Sequence, residues 1–201
     1  MKIKNIFIVY IIISIILISN LYWQCKKQFE LFDPNKIEIA YKTLEKVVDI
    51  LNEHNIPYYL DCGTLLGCVR ENKLLDHDTD VDVTLHLSFW DKIKEIDFSK
   101  YGFVKWRQSG DNIRNKIISV KFSGEDIYCD IYLNPAFPIL KDTVMKNKVY
   151  SIPIHSDIYL TELYGDWRKP SGKHADWPMF FYNGLVTGAY SKYWDKNYKI
   201  M

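Results

Sequence analysis

Residues 74–83 read LLDHDTDVDV, with aspartates at 76, 78, 80 and 82. On a strand, residues two apart share a face, so Asp80 and Asp82 project together while Val81 and Val83 turn to the core. The alternation predicts a strand over Val81 to Leu87. Two carboxylates side by side repel, and burial sharpens the repulsion; such a face is normally tolerated where a cation neutralises it. Oxygen donors alone select a hard ion, Mg²⁺ or Mn²⁺. The plain alternative is an acidic surface turn that binds nothing. An EF-hand loop does not fit, because its glycine and terminal glutamate are missing.

The residues before this run narrow the choice. Tyr58-Tyr59-Leu60 is a short strand that runs into Gly63-Thr64-Leu65-Leu66-Gly67, which becomes a short helix through about Glu71. Gly63 lets the backbone approach a phosphate, and a helix beginning near Thr64 offers N–H groups to an anion. The Thr64 hydroxyl can add to them. A third carboxylate is expected from a neighbouring strand, and Ile127 to Leu133 places Asp130 among apolar residues. Such an aspartate is costly unless paired or metal-bound, which marks Asp130 as third ligand or general base, with Asp126 as the substitute.

Elsewhere the pattern is that of one domain. Ile37, Tyr41, Leu44, Val48 and Leu51 recur at helical spacing behind Asp33-Pro34, predicting a helix to about Glu53. A helix is expected from Ser88 to about Ile96. Strands are expected over Phe103 to Arg107, Ile113 to Phe122 and Ile127 to Leu133, with turns at 110–112 and 124–125. Val149 to Ile152 reads as extended, Ser156 to Tyr164 as helical with Gly165 as its stop, and the rest as loop with a terminal helix possible. This order argues for an α+β fold, a mixed sheet with flanking helices on one side. His77, within the acidic run, reads as a hydrogen-bonding neighbour of it, and His155 and His174 lack ligand-like spacing. Trp106, Trp167 and Trp177 read as core and rim rather than as stacking platforms.

Ile6 to Trp23 is an 18-residue apolar run broken only by Ser14, Ser19 and Asn20. As a helix it would span about 27 Å, one bilayer core. A cleaved signal peptide would need a better small-residue site than Ser19-Asn20-Leu21. We therefore expect residues 1–27 to form a single-pass signal anchor and 28–201 a domain on its lumenal or extracytoplasmic side. Lys2, Lys4, Lys26 and Lys27 flank the run, and the whole chain has a net charge of only +1, so the domain itself is acidic. That balance argues against a nucleic-acid partner. Cys25, Cys62, Cys68 and Cys129 have no zinc-like spacing.

Residues 58–85, YYLDCGTLLGCVRENKLLDHDTDVDVTL, resemble the core motif of the LicD/fukutin-type phosphotransferases, a branch of the polymerase-β-like nucleotidyltransferases. Gly63, Thr64, Gly67, Arg70, Asp78, Asp80 and Asp82 fall on that pattern, and LTELYGDWRKP at 160–170 is similar to the family's C-terminal segment. One departure is Asp76-His77, where the family usually has Pro-Trp. The resemblance implies transfer of a phosphorylated alcohol, such as phosphocholine or ribitol phosphate, from a CDP-activated donor to a hydroxyl of a glycan or glycoconjugate. Taken with the reading of the residues, the metal and catalysis fall to Asp80, Asp82 and Asp130, and donor contacts to Gly63, Thr64, Gly67, Arg70 and Asp78. The acceptor's proton would pass to Asp130, or else to Asp61 or Asp78. Two alternatives stand beside it: a nucleotidyltransferase of the same fold releasing pyrophosphate, and a catalytically silent, membrane-tethered glycan-binding domain.

Overall fold

The computed structural model describes residues 13–15, 17–19, 34–76, 78–109 and 116–170. The expected anchor over 6–23 lies outside them apart from 13–15 and 17–19, which are helical and exposed. Among the described residues no helix is long and apolar enough to cross a membrane. The expectations at Cys25, Asp33, His77, 110–112, His174 and Trp177 also fall outside.

Helix α1 (Pro34–Glu53) buries Leu44, Val48 and Leu51, as its spacing requires, and ends where Asn55 takes a φ of 50° ahead of Pro57. Strand β1 (Tyr58–Leu60) leads directly into α2 (Cys62–Glu71). Asp61 caps α2, and Asn72, left-handed at φ 53°, closes it by donating to the Cys68 and Gly67 carbonyls. Strand β2 (Asp80–His86) follows one residue earlier than expected, then α3 (Trp90–Glu95). Strands β3 (Phe103–Ser109), β4 (Lys116–Phe122) and β5 (Tyr128–Asn134) complete a five-stranded sheet in the order β1-β2-β5-β4-β3.

β2 and β5 pair in parallel, and the other neighbours pair antiparallel. The fold is thus mixed α+β with a mixed sheet. One face carries Val81, Val83, Leu85, Ile131, Leu133, Ile118 and Val120, all buried in the same core as α1. The opposite face carries Asp80, Asp82, Thr84, Asp130 and Ser119. α4 (Ser156–Tyr164) reaches that second face, since Tyr159 packs edge-on against Tyr59, whose register partner is Thr84. The expectation of helices on one side only is corrected accordingly.

A second sheet, β6 (Leu140–Met145) with β7 (Lys148–Pro153), forms a hairpin beside β1. The sequence showed only its second strand. Lys146 and Asn147 both take positive φ, 48° and 64°, the geometry of a two-residue hairpin turn usually signalled by Asn-Gly or Asp-Gly. Lysine there gives no such signal, and Lys141, Asp142 and Thr143 obscure the alternation of β6. Lys146 to Glu38 at 2.7 Å and Lys148 to Asp49 at 2.6 Å tie the hairpin to α1. Exposed pairs of this kind contribute about 0–1 kcal/mol each; buried Met145, Tyr150 and Ile152 hold the hairpin down.

Candidate active site

The parallel register sets Asp82 opposite Asp130, and Asp80 lies one strand-face step from Asp82. One carboxylate oxygen from each of Asp80, Asp82 and Asp130 lies within 4.8 Å of the other two. Asp82 and Asp130 are buried, while Asp80 is partly open. Burial, then the charges of Asp80, Asp78, Asp130 and Asp61, push the Asp82 carboxyl well above the usual range. Asp130 is also raised by burial, against the opposing pull of Ser119 and Arg107. The three carboxylates predicted from sequence do converge.

Asp78 joins them from the loop before β2. Burial and the neighbouring Asp80 push its carboxyl up to about 8. Its position explains Gly63: a Cβ there would lie 2.1 Å from Asp78 Oδ2, so only glycine lets the carboxylate lie against the first turn of α2. Thr64 fastens that turn to β2, its Oγ1 accepting from the Asp82 amide at 2.8 Å. The Asp61 amide donates to the Asp82 carbonyl at 3.1 Å, a second tie between the same two elements. The amino end of α2 is therefore held beside the carboxylates.

Asp61, a less favoured proton acceptor of the expected set, is engaged in holding the fold together. Its buried carboxylate accepts from the Thr84 and Tyr159 hydroxyls and from the Cys62 amide, so it locks β1, β2, α2 and α4 together. Gly67 has a packing reason of its own: a Cβ there would meet the Lys73 carbonyl oxygen at 2.5 Å and the Leu75 nitrogen at 3.1 Å. Arg70 sits in the last turn of α2, about 9 Å along the axis from Thr64. Its Nε and Nη2 donate to Glu71 at 3.0 and 2.6 Å, and Nη1 to the Trp167 carbonyl at 3.3 Å. The structure does not bring Arg70 to the carboxylates.

Sequence reasoning missed three partners of Asp130. Ser119 donates to Oδ1; Arg107 Nη2 donates to Oδ2 at 3.0 Å, and the Tyr132 hydroxyl reaches the same oxygen at 3.3 Å. Ser119 carried a signal, a hydroxyl set between Ile118 and Val120 in an apolar strand, and Tyr132 stands two residues from Asp130. Arg107 carried none.

Residues 55–162 match the family model described as LicD/FKTN/FKRP, nucleotidyltransferase domain. The chain belongs to this family. The matched span runs from just before β1 into α4 and includes every residue of the site. Over 105 residues the chain is also 27% identical to an uncharacterized protein of Rickettsia prowazekii (strain Madrid E), covering 49% of this chain and 40% of that one. This chain thus spans about two fifths of the length of that curated relative. Among solved structures it is similar to a lincosamide antibiotic adenylyltransferase, LnuA, bound to lincomycin, with a TM-score of 0.47 and 14% identity over 74% of this chain and 98% of that one. Similarity to ANT(2″)-Ia in complex with adenylyl-2″-tobramycin gives a TM-score of 0.44 and 13% identity over 75% and 86%. Of the residues on the LicD pattern, Gly63, Thr64, Asp78, Asp80 and Asp82 sit at one place in the fold, beside Asp130, and Gly67 and Arg70 sit further along α2.

Proposed function

We propose that this LicD-family protein transfers a phosphorylated alcohol, of the phosphocholine or ribitol phosphate kind, from a CDP-activated donor to a glycan hydroxyl and releases CMP. The observation that carries the reading is the convergence of the Asp80, Asp82 and Asp130 oxygens within 4.8 Å. That donor set fits a hard divalent cation. Metal–oxygen bonds of about 2.1 Å put two ligand oxygens at most about 4.2 Å apart, so a small contraction closes the set. The raised carboxyls of Asp82 and Asp130 point the same way, because crowded buried acids either hold protons or gain a cation.

Asp80, Asp82 and Asp130 would hold Mg²⁺ or Mn²⁺, whose charge, when bound, neutralises the diphosphate and favours departure of CMP. The chain supplies the rest. The positive end of the α2 backbone dipole, fixed beside the carboxylates by Thr64 and Asp61, favours the anionic donor. Asp130 takes the proton of the attacking hydroxyl, while Asp61 and Tyr159 keep α2 and α4 in place around it. The apolar run at 6–23 would hold the protein in a membrane as a single-pass anchor, with the domain on the lumenal or extracytoplasmic side among glycoconjugate acceptors.

The test is to incubate the purified full chain with CDP-choline, CDP-ribitol and CDP-glycerol in Mn²⁺. Donor-specific CMP release that disappears in Asp80→Asn and Asp82→Asn supports the proposal. Release of pyrophosphate from a nucleoside triphosphate, with CDP-alcohols untouched, would overturn it.

A further inference from the structure

Strand β3 contains one irregularity. Lys105 pairs with Val120, and Arg107, rather than Trp106, pairs with Ser119. Trp106 is thus an extra residue, a β-bulge. In a regular ladder Trp106 would stand opposite Ser119, and Arg107 would fall opposite Ile118, on the sheet face away from Asp130. The bulge resets the alternation and turns Arg107 onto the face that carries Ser119 and Asp130. From there Nε donates to Ser119 Oγ at 3.2 Å and Nη2 to Asp130 Oδ2 at 3.0 Å. Among the described residues this is the ion pair made by the group Asp78, Asp80, Asp82 and Asp130. The two partners differ sharply: the Asp130 side chain is 5% exposed and that of Arg107 is 51% exposed.

We infer that Arg107 is a phosphate-binding residue of this site, resting on Asp130 while the site lacks substrate and turning to the donor's diphosphate when a divalent cation takes over that carboxylate. The inference rests on the proposed phosphotransferase reading. Its logic is charge competition. A cation at Asp130 repels a guanidinium 3.0 Å from the same carboxylate and removes the charge that held it. A guanidinium matches a phosphate in two-point geometry, and the exposed half of the side chain gives it room to swing. A bulge beside an acidic centre is a common means of re-aiming one side chain. Arg107 lies outside the sequence pattern on which the family resemblance was read.

Calorimetry on the full chain tests this without turnover, first with MnCl₂ alone and then with CDP in saturating Mn²⁺. In Arg107→Gln, Mn²⁺ affinity is expected to hold or rise several-fold, because a competing positive charge is gone, while CDP affinity falls about tenfold or more. Arg107→Lys keeps the charge without the fork and should lie between. Undiminished CDP binding in Arg107→Gln overturns the inference and leaves the phosphotransferase reading intact. Loss of Mn²⁺ binding in that variant also overturns it, since Arg107 would then only support the carboxylates. A wild-type chain that binds no Mn²⁺ sinks both.

Discussion

Asp82 and Asp130 face each other across the parallel pairing of β2 with β5, buried and on the same side of the sheet. Without a cation their charges oppose folding, and with one they bind it. Asp82→Asn should therefore abolish CMP release, by about a thousandfold or more, and still melt a few degrees above wild type in EDTA. Thermal scans with and without Mn²⁺ check both halves; wild type, unlike the variant, should gain from the metal.

The raised carboxyls also set a pH dependence. The folded protein keeps protons on Asp82 and Asp78, the latter up to about 8, that the unfolded chain has released. Between about pH 4 and 8 the native state binds more protons, so unfolding free energy falls as pH rises. Metal-free protein should melt lower at pH 8.5 than at pH 5.5. Saturating Mn²⁺ should flatten that slope, and melting curves across the range would show a flat metal-free profile if the carboxylates were not crowded.

Gly63 and Gly67 respond differently to alanine. At Gly63 the new methyl meets the movable end of Asp78, so Gly63→Ala should fold with little loss yet lose about tenfold or more in CMP release. At Gly67 it meets backbone, the Lys73 carbonyl at 2.5 Å. Gly67→Ala should lose about 1–3 kcal/mol in urea unfolding. Equal stability losses in the two would contradict the geometry.

Cys62 takes a φ of 47° at the start of α2, a left-handed conformation disfavoured for residues with a Cβ. Cys62→Gly should raise stability by up to about 1 kcal/mol, read as a higher urea midpoint. Burial and the surrounding aspartates push the Cys62 thiol well up, so it should alkylate slowly in the native protein at pH 8.

Much of this was legible in the sequence because it was written as periodicity or as anomaly. Leu44, Val48 and Leu51 announced α1, and Asp130 stood out as a carboxylate inside an apolar strand. The Gly-Thr turn and the Asp-x-Asp strand showed their relation in the order strand, glycine turn, helix, acidic strand, to which the family pattern added. The hairpin β6–β7 was hidden because its turn uses Lys146-Asn147, and Arg107 because a bulge breaks the alternation from which a face is deduced. The structural part played by Asp61 was hidden for a related reason: only tertiary contact with Thr84 and Tyr159 shows that its oxygens are engaged.

β5 inserts between β2 and β4, so the strand bearing Asp130 joins its neighbour only after more than forty intervening residues have looped back. Closing so long a connection is entropically slow, and contacts of this range form late in folding. A nascent chain that has not yet released residue 134 from the ribosome consequently has no nest for an ion. Refolding rates measured with and without Mn²⁺ should diverge only at the final, docking phase.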